Sequence, residues 1–173
     1  MYQEIIQNLK SGLLRLSPLQ LAFIAALMTI ELRLKFVLEQ RLEAWSGSVP
    51  VFPGFNLTLG HNRGVSFGIL DSSYWIAPYL LSSFAIILVV FVLSWAARQS
   101  AKLINVAGIL FAAGGLANAI DRLGDGAVTD YLDFGWQATR WPTFNLADVL
   151  IFVGVALLLF GWRAGTANAK GGG

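Results

Sequence analysis

The stretch from Gly114 to Asp148, GGLANAIDRLGDGAVTDYLDFGWQATRWPTFNLAD, ends one apolar segment, crosses a polar gap and opens the next apolar segment. It carries five of the ten acidic residues in the chain. Two of them, Asp130 and Asp148, lie where apolar sequence resumes. Because a carboxylate beside lipid-facing sequence is energetically costly, we expect these two residues to have a function.

The composition is that of a membrane protein. Of the 173 residues, 56% are hydrophobic and only 13% are charged, about half the charged share of a typical soluble domain. The net charge of +2 and the absence of a basic cluster argue against nucleic acid as a partner. There is no cysteine and a single histidine, which excludes disulfides and a thiolate site and disfavours zinc. Neither a metal nor a cofactor is predicted.

Four apolar segments are long enough to cross a membrane, at about residues 18–38, 74–97, 103–120 and 146–162. The sequence therefore predicts an all-α membrane protein whose residues 1–173 form one integral domain, with both termini on the same side. The Lys and Arg totals on the two sides are equal, so they leave the orientation open. The very short basic loop between the second and third segments favours the cytoplasm for that side.

The segments outside the spans have patterns of their own. Val49 to Leu70 alternates loosely between apolar and polar residues and is broken by proline and glycine, which predicts a small β-sheet on the membrane surface. Asn62-Arg63-Gly64 predicts a turn within it. Trp136 to Trp141 is aromatic and amphipathic, as expected of a segment in the headgroup layer. Residues 1–16 have helical spacing and form either a surface helix or a frayed leader.

Both long loops and one end of every predicted span meet on one membrane face. The polar residues that converge there are Glu31, Lys35, Asn62, Asn118, Asp121, Arg122, Asp130, Asn145 and Asp148. Asn145 and Asp148 have the spacing of a capping box, and the start of a helix favours an ionised Asp148. Asp130, on an extended segment, holds a proton more readily. Two carboxyl groups in unlike environments can activate water and protonate a leaving amine, which indicates hydrolysis at a membrane surface.

Most of these residues also have a purely structural interpretation. Glu31 and Lys35, four residues apart, are either solvated at the interface or paired inside the bundle. Asp148, taken alone, can equally well be a helix cap. Asp121 and Arg122 can form an ion pair at the membrane interface.

Three further polar residues are predicted to lie outside the site. Asp125 and Asp133 are expected to be solvated, and His61 is expected to be a surface or turn histidine rather than a ligand.

The main alternative function is that of a transporter or proton-coupled binder, with the buried acids forming an ion path. The polar residues gather at one face rather than along a path through the spans, and no inverted repeat is evident. Both observations disfavour that alternative.

Three motifs occur in order along the chain: FNLT with HNRGVSFG at 55–58 and 61–68, GGLANAIDR with GAVTDY at 114–122 and 126–131, and FNLAD at 144–148. Their order and spacing, together with the four-span layout from about Pro18 to Trp162, resemble the lipoprotein signal peptidases, or type II signal peptidases. These are bacterial intramembrane aspartyl proteases. The chain departs from the family pattern at Glu31, where an aspartate is usual, and at Val65, Ser66 and Ala117.

The resemblance implies that Asp130 and Asp148 are the catalytic residues. It implies a supporting and substrate-binding role for Asn62, Gly64, Asn118, Asp121, Arg122, Asn145, Lys35 and Glu31. The implied reaction removes the signal peptide from a prolipoprotein, on the amino side of a cysteine that already carries diacylglycerol. It also implies a bacterial inner-membrane protein with cytoplasmic termini and an outward-facing site, a small extracytoplasmic sheet, and a mobile lid at Trp136–Trp141. The partners are then the lipidated precursor and membrane lipids, and the protein is expected to be a monomer.

Overall fold

The structure, a computed structural model, describes residues 1–64, 75–136 and 139–170, with side chains up to residue 163. The helices in the described part are α1 (Tyr2–Leu13), α2 (Pro18–Ala44), α3 (Ala77–Ala97), α4 (Lys102–Asp125) and α5 (Leu146–Lys170). The strands are β1 (Ser48–Phe52), β2 (Phe55–Asn62), β3 (Val128–Trp136) and β4 (Thr139–Arg140). The chain is therefore mostly helical with a small sheet, as predicted.

Three of the helices are long and apolar enough to cross a membrane: α3, α4 and the Leu146–Arg163 part of α5. α2 has 27 residues and begins at a capping box formed by Ser17 and Gln20. It does not meet the same composition criterion, because Glu31, Arg33 and Lys35 already lie within its first 18 residues. Its role as a fourth span stays a prediction.

Small residues bring the helices around α4 close together, as the sequence predicted. A side chain at Gly114 would collide with the carbonyl oxygen of Ala147 on α5. A side chain at Gly108 would come within 2.6 Å of Ala96 on α3. Close approach through small residues is the usual way that helices pack in lipid. At Gly114 it seats the first turn of α5 directly against α4.

The sheet is antiparallel, with strand order β1-β2-β3-β4. It is built from both long loops; the sequence predicted strands in the first loop and, in the second, an extended segment that contains Asp130. Asp130 on β3 lies opposite Gly60 on β2. The predicted sheet residues 65–70 and the predicted span residue Tyr74 lie outside the described residues.

The position where α4 ends is set by a local feature of the sequence, and β3 ends in the predicted lid segment. α4 stops at Gly126, whose φ of 74° is the left-handed conformation that favours glycine. Gly124, also predicted to stop the helix, lies inside α4. Within the predicted lid segment, Trp136 at the end of β3 pairs with Thr139 of β4, and residues 137 and 138 lie outside the described part. Its role as a lid stays a prediction.

The N-terminal segment is a helix that packs on α3. The Ser94 hydroxyl donates a hydrogen bond to the carbonyl oxygen of Leu9 at 3.1 Å, and Gly12 lies in close contact with Ser94. The segment is therefore helical, and its position on the membrane surface stays a prediction.

Candidate active site

Asp130 lies on β3 and is only 2% exposed. Its Oδ1 accepts a hydrogen bond of 2.6 Å from Nδ2 of Asn145. The opposing residue on β2 is Gly60, where an added side chain would come within 2.7 Å of the Thr143 hydroxyl. Glycine at this position therefore leaves room for Thr143 close to Asp130.

Asp148 lies in the first turn of α5, where the predicted capping box is confirmed. The backbone N–H of Asp148 donates to Oδ1 of Asn145 at 2.9 Å, and the N–H of Asn145 donates to Oδ2 of Asp148 at 3.2 Å. The other carboxylate oxygen, Oδ1, accepts a hydrogen bond of 2.8 Å from Asn118 Nδ2 on α4. Asp148 is partly exposed, so this acid is both held by amides and open on one side.

Asn145 connects the two acids. Its side-chain N–H₂ donates to Asp130, and its backbone N–H donates to Asp148. Asn145 itself is fully buried. The two carboxyl groups therefore share one buried partner but have unlike surroundings.

The surroundings of Asp130 favour its protonated form. Burial, followed by the nearby charge of Asp148, raises the pKa of Asp130 from 3.8 to about 6. Hydrogen bonds from Asn145 and Asn62 to the carboxylate lower the same pKa, but by less. These effects agree with the prediction that Asp130 holds a proton more readily than an ordinary aspartate.

Lys35 is the centre of a buried polar cluster. Its Nζ donates to Asn118 Oδ1 at 2.7 Å and to Asp121 Oδ2 at 2.8 Å, and it lies 3.9 Å from Glu31 Oε1. Lys35 is 2% exposed and Glu31 is fully buried. The interpretation of Glu31 and Lys35 as a pair inside the bundle is therefore confirmed, and the solvated interpretation is wrong.

Asp121 links this cluster to β3. Besides Lys35, its Oδ2 accepts a hydrogen bond of 2.7 Å from the backbone N–H of Thr129, the residue before Asp130. The salt bridge of Asp121 is with Lys35, so the predicted ion pair between Asp121 and Arg122 is wrong. Consecutive residues of a helix point to different sides, and only Asp121 faces α2.

Arg122 lies beside the turn at Asn62. The Asn62 side chain accepts a hydrogen bond of 2.8 Å from the N–H of Gly64, which has φ of 80°, so the predicted turn is confirmed. A side chain on Gly64 would lie 3.8 Å from Arg122 Nη2. The buried Nε of Arg122 has no hydrogen-bond partner among the described residues, and Asp121, Asp130 and Asp148 are all close enough to act on the guanidinium charge.

Of the three polar residues predicted to lie outside the site, two are exposed as predicted and one is buried. His61 is 44% exposed and contacts Glu39 at 2.8 Å, and Asp125 is exposed, as predicted. Asp133 was predicted to be solvated but is only 5% exposed. It accepts hydrogen bonds of 2.7 Å from Arg140 Nε and from the Thr58 hydroxyl, which lower its pKa. Pairing with β2 and β4, which the sequence did not predict for this segment, buries Asp133.

Sequence reasoning missed Tyr131. Its hydroxyl donates to Glu31 Oε2 at 2.8 Å and accepts from the N–H of Leu146 at 3.1 Å, and the residue is 3% exposed. Burial and the neighbouring Glu31 carboxylate raise the pKa of Tyr131. Strand alternation is the signal that could have found it, because it sends Tyr131 to the opposite face of β3 from Asp130.

The described residues contain no group of three or more histidine, aspartate or glutamate side chains arranged to hold a metal ion.

Comparison with known proteins connects this arrangement to one family of enzymes. The family model described as signal peptidase (SPase) II matches residues 23–162. The lipoprotein signal peptidase of Vibrio cholerae is 36% identical over 158 residues, covering 90% of each chain. That of Rhodopseudomonas palustris is 33% identical, covering 90% of this chain and 99% of the relative.

Two solved structures, both described as a bacterial membrane enzyme determined by the in meso method, have the same fold. One has a TM-score of 0.66 at 25% identity and covers 86% of this chain and 90% of its own. The other has a TM-score of 0.67 at 25% identity and covers 83% and 91%. These matches confirm the resemblance noted in the sequence: the chain belongs to the signal peptidase II family of aspartic peptidases.

Proposed function

We propose that this protein removes the signal peptide from diacylglyceryl-modified prolipoproteins, cleaving on the amino side of the lipidated cysteine. Asp130 and Asp148 are the catalytic residues. The observation that carries the proposal is the pair of carboxyl groups held by Asn145 in unlike surroundings, one buried and one partly exposed. The names of the relatives from Vibrio cholerae and Rhodopseudomonas palustris support the class of substrate.

The two acids have complementary roles in the hydrolysis. Asp148 takes a proton from a water molecule as the water oxygen bonds to the carbonyl carbon of the scissile peptide. Asp130, whose pKa is raised to about 6, gives its proton to the leaving nitrogen as the C–N bond breaks. The products are a carboxyl terminus on the signal peptide and a free amine on the lipidated cysteine. A proton then passes from Asp148 to Asp130 to restore the starting state.

The supporting residues hold this geometry. Lys35 fixes Asn118, which in turn donates to Asp148. Asp121 fixes the backbone beside Asp130. Arg122, whose Nε has no partner in the part of the chain that the structure describes, is positioned with Asn62 and Gly64 to contact the substrate backbone.

The substrate lipid determines where the enzyme must lie, and we place it in the bacterial inner membrane. α2 is the fourth span, because the buried Glu31 and Lys35 face the bundle and do not oppose insertion. Both termini are cytoplasmic and the sheet is extracytoplasmic. The segment Trp136–Trp141 is the lid, and its two exposed tryptophans suit the headgroup layer. The enzyme works as a monomer among membrane lipids.

The proposed function is tested with purified protein in lipid bilayers. A diacylglyceryl-modified precursor is compared with the same precursor lacking the lipid, and the products are identified by mass spectrometry. We expect cleavage of the lipidated precursor alone, on the amino side of the modified cysteine. Failure to cleave it, or equal cleavage of the unmodified precursor, would overturn the proposal.

The rate of cleavage should depend on pH because the reaction needs a protonated Asp130. Cleavage should fall as the pH rises through about 6, because Asp130 then loses the proton that the leaving amine needs. In a plot of activity against pH this fall is a descending limb. Its midpoint is an apparent pKa of the coupled pair of acids rather than of one residue. It is measured as kcat/KM against pH for the lipidated precursor.

Comparing the pH profile of a variant at Asn145 with that of the wild type tests the role of Asp130. Asn145→Ser keeps a good N-cap for α5 but is too short to reach Asp130. Because the Asn145 hydrogen bond lowers the pKa of Asp130, its loss should move the descending limb to higher pH. A profile that instead rises through pH 6 would mean that Asp130 acts in its ionised form, which would reverse the two roles.

A further inference from the structure

Tyr131 connects three elements that are far apart in the sequence. It lies on β3, its hydroxyl donates to Glu31 on α2, and the same oxygen accepts from the N–H of Leu146, the first residue of α5. The two contacts span 100 and 15 residues of the chain. The mechanism proposed above does not use Tyr131, although it follows Asp130 directly.

Glu31 depends on this hydroxyl. Its side chain is fully buried, and the hydrogen bond to Oε2 comes from Tyr131 at 2.8 Å. Its other oxygen, Oε1, has no hydrogen-bond partner among the described residues and lies 3.9 Å from Lys35 Nζ. Without the Tyr131 hydroxyl, Oε2 of this buried carboxylate would lose its hydrogen bond, and its charge would be stabilised less, by Lys35 and by the backbone of Ala147 in the first turn of α5.

The bond to Leu146 connects Tyr131 to Asp148. The first N–H groups of a helix have no partner within the helix, and here the N–H of Leu146 is satisfied by Tyr131 while that of Asp148 is satisfied by Asn145. A shift of this first turn moves the Asp148 carboxylate relative to Asn118 on α4, its other donor.

We propose that the hydrogen-bonded pair of Tyr131 and Glu31 fixes the first turn of α5 and thereby sets the position of the Asp148 carboxylate beside Asp130. Tyr131 is a positioning residue and does not touch the substrate. This inference rests on the proposed function, because its effect is read out in the cleavage reaction.

The test is Tyr131→Phe, with cleavage of the lipidated precursor measured in bilayers. A displacement of about 1 Å at a reacting group can lower the rate about 100-fold, so we expect kcat to fall about 10- to 100-fold with KM changed less than about threefold. The descending limb of the pH profile should move to lower pH, because the charge of Asp148 raises the pKa of Asp130 and a displaced Asp148 acts on it more weakly. Loss of folded protein alone would not move this limb.

Two substitutions at Glu31 distinguish the effect of its side-chain length, which allows the hydrogen bond with Tyr131, from the effect of its charge. Glu31→Gln keeps an oxygen that can accept from Tyr131, whereas Glu31→Asp keeps the charge but is shorter by one C–C bond, about 1.5 Å. Glu31→Gln should therefore retain more activity than Glu31→Asp. Tyr2→Phe on α1, where the residue is 72% exposed, is the matched control and should behave like the wild type.

The outcomes are distinguishable. If the wild type does not cleave the lipidated precursor, the proposed function itself fails. If the wild type cleaves it and Tyr131→Phe has the kcat and pH profile of Tyr2→Phe, only the positioning role is overturned. If Tyr131→Phe does not fold, the order of the two Glu31 variants decides, and greater activity of Glu31→Asp would overturn the inference.

Discussion

Asp130→Asn and Asp148→Asn are each expected to abolish measurable cleavage of the lipidated precursor, a loss of at least about 1,000-fold. An amide has nearly the shape of a carboxyl group but neither takes a proton from water nor gives one to an amine at neutral pH. Cleavage is followed by mass spectrometry with each variant in lipid bilayers, and folding by thermal unfolding of the same preparations.

The two variants should differ in stability even though both are inactive. The amide oxygen introduced by Asp130→Asn can still accept from Asn145, and the substitution removes a buried carboxyl group whose folded-state pKa of about 6 is raised above its unfolded value. Such a group stabilises the fold most when protonated, below about pH 4, and loses that contribution as the pH rises through 6. At pH 7, Asp130→Asn should therefore unfold at a higher temperature than Asp148→Asn, which loses one hydrogen bond of the capping box, worth about 1 kcal/mol.

Asp125→Asn is the matched control, because Asp125 lies in the same stretch of sequence but is exposed. It should cleave the precursor at the rate of the wild type. Retained processing by both Asp130→Asn and Asp148→Asn would rule out these two residues as the catalytic pair.

Local features of the site could be predicted from the sequence because each depends on a few neighbouring residues. The capping box joins Asn145 and Asp148, three residues apart, and the turn joins Asn62 and Gly64, two residues apart. The end of α4 at Gly126 follows from the conformational freedom of one glycine. In these cases the residue type and its spacing determine the hydrogen bond.

Features that depend on distant partners could not be predicted in the same way. Asp121 pairs with Lys35, 86 residues away in the sequence. The sequence favoured Arg122 as its partner because Arg122 is the adjacent residue. Asp133 is buried because β3 extends to Trp136 and is paired on both sides. Tyr131 is a site residue only because α2 brings Glu31 to the opposite face of β3. The packing of α2 and the sheet determines these three contacts.

Lys35→Met is expected to cause the largest loss of stability of any substitution proposed for this protein. Lys35 is the cation nearest to two buried acids, Asp121 at 2.8 Å and Glu31 at 3.9 Å. Breaking a buried ion pair by removing one partner costs about 3–5 kcal/mol, because the other charge stays buried without compensation. The free energy of unfolding in detergent micelles should fall by about this amount. Activity should fall as well, since Asn118 then loses the partner that orients it toward Asp148.

Lys102→Met is the matched control, since Lys102 lies at the exposed start of α4, and its unfolding free energy should change by less than about 0.5 kcal/mol. The double variant Lys35→Met with Asp121→Asn should recover part of the loss, because it removes one of the two uncompensated charges. A Lys35→Met protein as stable as the wild type would rule out the ion pair of Lys35 and Asp121 as a main support of the fold.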